Sequence, residues 1–436
     1  MSAPPHPAPT GPSGPSGSWG MRTDVLRHGR GHDSDRVGYI ELFFDLVFVF
    51  AVTQLSHSLI AHPDGTTLVQ TLILGAAVWY LWIDTTWVTN WLDPERTPVR
   101  TLLIVLMLLG LLMSSAIPEA FGDKALLFAG TFVAIQVGRS AWTAFALHRH
   151  WPENGTNFVR ITVWQVSSGI LWVAGALAPD ESWRLLLWVA AVLVDYAGPR
   201  ALFRVPVLGP TDPATWVVRG GHMAERVGLF IIISLGESII VTGTAFGELE
   251  LTGTVLLAFL AAFASTVLMW LLYFDRSERR ATAFFSGSDS PGMIAQTAYT
   301  YVPYLLVVGI VLTAVADEIV LLHPLGHEDV GHSDPWTAGL ICGAGMVYLA
   351  GNTLFRRATG GSWSVPHVAG VLALGLLYLS YPVLSPLAIN WVSNGVLLAV
   401  ILGDVALSRR GSAAGRSLSG DGGTPSGDAS PTAERP

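Results

Sequence analysis

The chain has 436 residues, of which 51% are apolar and only 13% are charged, and its mean hydropathy is +0.50. Soluble proteins carry about 25% charged residues, so this composition excludes a disordered protein, a nucleic-acid-binding protein and an ordinary soluble enzyme. The formal net charge is −8. The basic residues are 23 arginines and one lysine, and their positions are more informative than the net charge. We therefore expect a polytopic membrane protein.

Both ends of the chain are rich in Pro, Gly and Ser, which predicts solvated, disordered tails over residues 1–36 and 409–436. The N-terminal run lacks the apolar core of a signal peptide, so no cleaved leader is expected. The single cysteine, Cys342, lies in an apolar run. It can form neither an internal disulfide nor a cysteine-based zinc site, and we expect it to pack as a small apolar residue.

Continuous apolar runs of about 20 residues predict an all-α bundle of about twelve membrane-spanning helices. The predicted spans are 39–59, 67–90, 98–117, 124–148, 157–178, 182–203, 220–245, 252–274, 293–316, 336–356, 364–381 and 386–407. With the N-terminus in the cytoplasm, 20 of the 24 basic residues fall on the cytoplasmic side and only Lys124 and Arg184 on the outer side. This asymmetry follows the positive-inside rule and predicts a plasma-membrane protein with both termini in the cytoplasm.

Two pairs of similar segments suggest an internal duplication. WYLWID at 79–84 resembles WLLYFD at 270–275, and AIQVGRSAW at 134–142 resembles VYLAGNTLF at 347–355. Six helices per unit return the chain to the same side, so the prediction is two parallel repeats related by an axis along the membrane normal. The first would cover 37–205 and the second 206–408. Short apolar segments also match by chance, which is the alternative.

Four tryptophans cluster near one end of the second span. Trp79, Trp82, Trp87 and Trp91 resemble an interfacial aromatic belt, although core packing explains the same spacing. The sequence therefore leaves two environments open for these side chains, the membrane interface and the protein core.

Charged residues within the predicted spans are the most informative, because such groups face a bundle interior or a wet cavity. Glu41 and Asp45 are spaced i, i+4 and share one helix face, where they could bind a cation or relay protons. Alternatively, Glu41 lies in the wet interface and Asp45 pairs with an arginine. By depth, Arg139 could meet Asp45 or Asp84, either to lock helices together or to tune a carboxylate or bind an anionic substrate.

The seventh span carries Glu225, Arg226, Glu237 and Ser238. Glu225 stands near the start of this span, as Glu41 does in the first. Arg226 and Glu237 share a face about three turns apart, so each needs another partner. Glu237 is the deepest acid and the best candidate for a pathway residue, unless neighbouring hydroxyls satisfy it.

Two further acids, Asp195 and Asp404, are expected at wet helix termini. Acids outnumber the two arginines within the spans, which favours a proton or cation path over an anion pore. The loop 323–335 holds His323, His327 and His332 among acids, and we expect a solvated acidic loop rather than a metal site. No catalytic or cofactor-binding signature is present, so neither an enzyme nor a cofactor is expected.

The segment YIELFFDLVFVFAVTQLSH (39–57) resembles the opening helix of the bacterial low temperature requirement A family, and ERVGLFIIISLGESII (225–240) resembles its second hallmark. The resemblance would cover about residues 36–407. It implies a bacterial inner-membrane protein linked by name to growth in the cold and assigns no catalytic residues. A weaker similarity links Phe43-Phe44-Asp45 to the F-S-D signature of a potassium channel family, but Ser is replaced by Phe44.

The sequence thus favours a transporter or cation-conducting protein with a polar site between its two halves. Its partners would be the lipid bilayer and a proton or small cation, and no nucleic acid. A membrane enzyme or lipid-handling protein, and a scaffold whose buried charges only pair with each other, are the alternatives.

Overall fold

The structure is a computed structural model that describes residues 25–27, 37–148, 151–215, 219–274, 296–327 and 331–419. Within these ranges the chain forms twelve α-helices and, apart from two isolated bridges, no β-structure, which confirms the all-α prediction there. The helices are α1 (Tyr39–Ala61), α2 (Gly65–Trp91), α3 (Thr97–Ala116), α4 (Ala125–Leu147), α5 (Pro152–Ala176), α6 (Glu181–Arg200), α7 (Gly220–Glu248), α8 (Gly253–Leu272), α9 (Val302–Leu322), α10 (Pro335–Ala358), α11 (Val365–Tyr378) and α12 (Pro386–Ser419).

Among the described helices, nine are long and apolar enough to cross a bilayer, namely α1–α4, α7–α10 and α12. Helices α5 and α6 have sufficient length but are not among them, and both carry charged residues. Helix α11 has 14 residues and therefore extends about 21 Å, less than the ~30 Å hydrocarbon thickness. The chain is a multi-pass helical protein, and the count of twelve spans stays a prediction.

The ninth helix differs most from its predicted position at 293–316. A π-helical segment, Gln296–Tyr301, precedes α9, which begins at Val302 with Pro303 in its first turn and ends at Leu322. The predicted boundary at residue 316 lies six residues before the observed end at Leu322. That boundary was wrong, since Asp317 is buried within the helix. Residues 293–295 lie outside the described ranges.

The structure describes a short segment within each predicted tail. Residues 25–27 pair with the end of α2, where the Arg27 amide donates to the Trp91 carbonyl and the Asp93 amide donates to the Val25 carbonyl. At the other end, α12 continues past residue 408 to Ser419. The disorder predicted for the two tails stays a prediction, and residues 1–24, 28–36 and 420–436 lie outside the described part of the chain.

The tryptophans of α2 belong to the protein interior. All four are buried, and the indole N–H groups of Trp79 and Trp87 both donate to Thr300, to its carbonyl and its hydroxyl oxygen respectively. The interpretation as an interfacial belt was wrong, because these rings fill the space between packed helices. Helix α1 packs against α2, α3, α7 and α9 and thereby connects residues 37–205 with 206–408.

Paired positions of the predicted repeats lie in different environments. Trp79 is 2% exposed whereas Trp270, its counterpart, is 45% exposed. Glu41 is buried whereas Glu225 is exposed. Asp275, the counterpart of Asp84, lies outside the described residues. The duplication therefore stays a prediction.

Helices α9 and α10 approach closely at Gly309. A Cβ atom added there would lie 2.8 Å from the Cβ of Tyr348 and 3.1 Å from its backbone N and Cα. The Tyr348 hydroxyl in turn donates to the Met269 carbonyl of α8 at 2.7 Å, which restricts how far Tyr348 can move. Close packing of α9 against α10 therefore requires a glycine at position 309.

We predict that Gly309→Ala lowers the free energy of unfolding by about 1–3 kcal/mol, because the added methyl forces α9 and α10 apart. The measurement is the thermal unfolding midpoint of the purified protein in detergent. Gly343→Ala on α10 is the control, since a Cβ there meets nothing within 4 Å. Equal midpoints for the two variants would contradict the packing argument.

Candidate functional site

One buried ion cluster joins α1 to α7. The Arg226 guanidinium donates through Nη1 to Glu41 Oε1 at 3.0 Å and through Nη2 to Asp45 Oδ1 at 2.6 Å. All three side chains are buried. The i, i+4 spacing places both carboxylates on one face of α1, and a single arginine of α7 bridges them.

Further groups complete the contacts of Glu41. Arg27 Nη2 donates to Glu41 Oε2 at 3.0 Å, the Gly38 amide donates to the same oxygen at 2.9 Å, and His222 Nε2 lies 3.1 Å from Glu41 Oε1. His222 precedes Arg226 by one turn of α7 and therefore lies on the same face of the helix. The sequence reasoning missed His222, although its i, i+4 spacing to Arg226 is visible, and Arg27, which was assigned to a tail.

Asp45 has a different environment from Glu41. Its Oδ1 accepts from the Trp82 indole N–H at 2.7 Å as well as from Arg226, and the Arg226 guanidinium lies 5.7 Å from the Trp82 ring centre. Its Oδ2 is buried without a hydrogen-bond partner among the described residues. The cluster holds two acids and two arginines, counting Arg27, so the expected shortage of cations was wrong at this position.

A second cluster joins α2, α4 and α5. Arg139 pairs with Asp84 through Nη2, and its Nη1 donates to the Thr85 hydroxyl at 2.8 Å. Gln165 Nε2 also donates to Asp84 Oδ2, at 2.7 Å. Of the two partners considered for Arg139, the structure selects Asp84, while Asp45 is bound by Arg226.

The acids expected at wet helix ends are buried. Asp195 Oδ2 accepts from the Trp172 indole N–H at 3.1 Å, and Asp404 Oδ2 accepts from Arg356 at 2.7 Å. The Ser364 hydroxyl donates to the other oxygen of Asp404 at 2.9 Å. The expectation was wrong because neighbouring helices pack over both positions and supply polar partners.

The remaining predicted residues of α7 lie apart from the ion cluster. Glu237 and Ser238 are buried, and Glu237 Oε1 has no hydrogen-bond partner in the described ranges. Glu237 lies eleven residues beyond Arg226, about 16 Å along the helix. Glu225 is exposed, because the face of α7 that carries Arg226 is turned inwards.

Two cavities meet between α1 and α2. The larger one, a vestibule of about 790 Å³, lies where α1 ends and α2 begins and includes His57, His62 and Gln70 in its wall. The second, of about 420 Å³, is an apolar cavity lined by α1, α2, α7 and α9. Leu55 and Thr71 line both cavities, which therefore adjoin.

Aromatic rings close the inner end of the apolar cavity. Trp79 and Phe230 form part of its wall, and Trp82 packs against both, with ring centres 4.9 Å from Trp79 and 4.4 Å from Phe230. Trp82 is also the residue that donates to Asp45. The vestibule, the apolar cavity, the aromatic layer and the Asp45 carboxylate therefore follow one another along α1 and α2.

The loop around 323–335 shows no metal centre in its described residues. His323 and His327 pack with ring centres 4.5 Å apart. No group of three or more His, Cys, Asp or Glu with metal-binding geometry occurs in the described part of the chain. Glu328 and Asp329 lie outside it.

Comparison with known proteins places the chain among bacterial membrane proteins. Residues 36–402 match the family described as bacterial low temperature requirement A protein (LtrA). The chain belongs to this family. This LtrA protein is also similar to the uncharacterized protein RA0937 of Rhizobium meliloti (strain 1021), with 38% identity over 370 residues, which is 84% of this chain and 88% of the relative. No solved structure matches the chain.

The matched range contains every acid and arginine of the α1–α7 cluster except Arg27. The segments 39–57 and 225–240 meet in space, since Glu41 and Asp45 belong to the first and Arg226 to the second. The two segments on which the sequence resemblance rested thus contact each other.

We predict that Arg226→Gln sharply reduces the yield of folded LtrA protein, because removing one partner of a buried ion pair costs about 3–5 kcal/mol. The measurement is the monodisperse fraction in fluorescence-detected size-exclusion chromatography. Arg100→Gln, which removes an exposed arginine paired with Glu95, is the control and should resemble wild type.

The double variant Arg226→Gln/Asp45→Asn tests the pairing itself. Its loss of stability should be smaller than the sum of the losses in the two single variants, because an amide at position 45 no longer needs the guanidinium at position 226. Strict additivity of the losses would contradict direct coupling between Arg226 and Asp45.

Proposed function

We propose that this LtrA protein is a proton- or cation-linked transporter whose path runs along α1, α2, α7 and α9. The observation that carries the proposal is the succession of vestibule, apolar cavity and aromatic layer that leads to the buried Asp45 carboxylate. A membrane-depth carboxylate beside a cavity is typical of ion pathways and proton relays.

The wall chemistry changes along the path. Histidine, serine, glutamine and threonine side chains form about half of the vestibule wall, where a hydrated ion or polar substrate can enter, and apolar residues form the rest. The next cavity is apolar, and its inner end is closed by Trp79, Trp82 and Phe230. An apolar constriction of this kind restricts the passage of water and ions, and its rearrangement would open the path.

Asp45 is the residue that would exchange the ion. Glu41 is held by Arg226, Arg27 and His222, whereas Asp45 keeps one oxygen without a hydrogen-bond partner in the described part of the protein. A proton or cation bound to Asp45 would weaken its attraction to Arg226 while Glu41 retains Arg226. The α1–α7 contact could then change while it keeps the ion pair between Arg226 and Glu41.

Helix α7 carries a further buried acid on the face that holds Arg226. Arg226, Phe230 and Glu237 are spaced i, i+4, i+11 and therefore lie on one face of the helix. Glu237 is buried with a carboxylate oxygen that lacks a partner among the described residues. We infer that Glu237, with Ser238 beside it, lines the path beyond the aromatic layer.

In liposomes containing the purified protein and a pH-sensitive dye, we expect proton flux under an imposed gradient that depends on Asp45 and Glu237. Asp45→Asn should reduce the flux to that of protein-free liposomes, because the amide cannot exchange a proton. Glu237→Gln should slow it. Glu95→Gln, which changes an exposed acid, is the control and should keep the wild-type rate.

Wild-type rates from a correctly folded Asp45→Asn variant would overturn the proposed role of Asp45. Absence of flux from the wild type with protons, sodium and potassium alike would favour the scaffold. In that case, the arginine-bridged clusters serve only to hold the helices together.

The orientation proposed for this path has both termini in the cytoplasm of the bacterial plasma membrane. The motivation is the concentration of arginines on one side of the predicted spans, with Lys124 and Arg184 on the other. Cys342 is only 1% exposed, so the wild-type chain supplies a low background for thiol labelling.

We predict that Asp123→Cys, between α3 and α4, reacts with a membrane-impermeant thiol reagent in intact spheroplasts. Glu95→Cys, between α2 and α3, should react only after permeabilisation. Both positions are exposed, so a difference between them reports the side of the membrane. The opposite labelling pattern would reverse the proposed orientation.

A further inference from the structure

A buried acid lies outside the α1–α7 cluster, between α8, α9 and α12. Asp317 is 2% exposed, and its Oδ1 accepts from Asn390 Nδ2 at 2.8 Å. Its Oδ2 is buried without a hydrogen-bond partner among the described residues. No Arg, Lys or His of the described chain forms an ion pair with Asp317, unlike the acids bridged by Arg226.

Side-chain oxygen atoms converge around the hydroxyl of Ser265. Its Oγ lies 3.0 Å from Asn394 Oδ1, 3.4 Å from Asn390 Oδ1 and 3.5 Å from Asp317 Oδ1. A hydroxyl has one proton and can satisfy one of these acceptors at a time. The group therefore has more acceptors than donors, and its potential is negative.

The amide orientations support this arrangement. Asn394 Nδ2 donates to the Ala261 carbonyl of α8 at 2.9 Å, which leaves Asn394 Oδ1 towards Ser265. Asn390 directs its Nδ2 to Asp317 and its Oδ1 to Ser265. The spacing i, i+4 places both asparagines on the same face of α12.

The oxygen atoms border a small cavity. It encloses about 270 Å³ of space between the atoms of α8, α9, α10 and α12, with room for about one water-sized guest. No described Arg, Lys or His is part of its wall. Its polar wall residues are Ser265, Thr313, Asp317, Asn390, Ser393 and Asn394.

We propose that this cavity binds one monovalent cation, sodium. Carboxylate, amide and hydroxyl oxygens are the ligands that hard cations prefer. A single carboxylate balances one positive charge, and the described residues include no group of three acids or histidines suited to a divalent metal. The cation would occupy the position that the unpartnered Asp317 oxygen faces.

Cation binding at this site does not depend on the proposed transport, whereas a role of this cation as the coupling ion rests on that function. The site shares no residue with the vestibule or with the Asp45 contact. It also accounts for a buried carboxylate in α9, a mostly apolar helix, with no described arginine or lysine in the wall around it.

The test is the thermal unfolding midpoint of the purified full-length protein in detergent, titrated with NaCl, KCl or LiCl against choline chloride at constant ionic strength. A ligand that binds only the folded state raises the midpoint in a saturable way. We expect sodium to do so for the wild type, choline to have no such effect, and Asp317→Asn to abolish the sodium response.

Two further variants make the result decisive. Ser265→Ala removes one oxygen and keeps the carboxylate, so the half-saturating sodium concentration should rise about tenfold. This variant tests the site also in the case that Asp317→Asn does not fold. Glu318→Gln is the matched control, since this half-buried neighbour is not part of the cavity wall and should respond as wild type.

A midpoint insensitive to sodium, potassium and lithium in the wild type would overturn the proposal and assign Asp317 a proton instead. Equal sodium responses of wild type, Asp317→Asn and Ser265→Ala would also overturn it. Neither result affects the dye-reported proton flux, and absence of flux leaves the sodium-dependent midpoint unchanged, so the two proposals fail separately.

Discussion

The contact on which the arrangement depends is the Arg226 guanidinium between Glu41 and Asp45. Two carboxylates one helical turn apart cannot be buried in an apolar bundle unless cations and hydrogen-bond donors replace the lost water. Arg226, Arg27, His222, Trp82 and the Gly38 amide supply these partners. These contacts to the two carboxylates fix the depth and rotation of α1 relative to α7, and thereby position the cavities between α1, α2 and α9.

The acids of the interior fall into two electrostatic groups. Those bridged by arginine, including Asp84 with Arg139 and Asp404 with Arg356, hold helices in register because separating them would expose an unpaired charge. Asp317 is surrounded instead by amides and hydroxyls, which solvate a charge but do not cancel it. Arginine pairing suits a structural role for Asp84 and Asp404, whereas the surroundings of Asp317 leave a place for an external cation.

Aromatic residues connect packing with polar chemistry in this protein. The Trp82 indole donates to Asp45 and the Trp172 indole donates to Asp195, while both rings are fully buried among other side chains. A buried tryptophan needs a partner for its N–H, and a buried carboxylate needs donors, so one contact satisfies both. Trp82 in addition belongs to the aromatic layer that separates the apolar cavity from Asp45.

Composition and apolar periodicity alone determined that the chain is a helical membrane protein, because a bilayer requires each spanning segment to satisfy its own backbone hydrogen bonds. The i, i+4 spacing likewise placed Glu41 and Asp45 on one face. Spacing within a helix does not define how packed helices rotate and shift against each other. Only the tertiary structure therefore decided that Arg139 meets Asp84, that Arg27 reaches Glu41 from an expected tail, and that Asp317 faces a cavity with two asparagines.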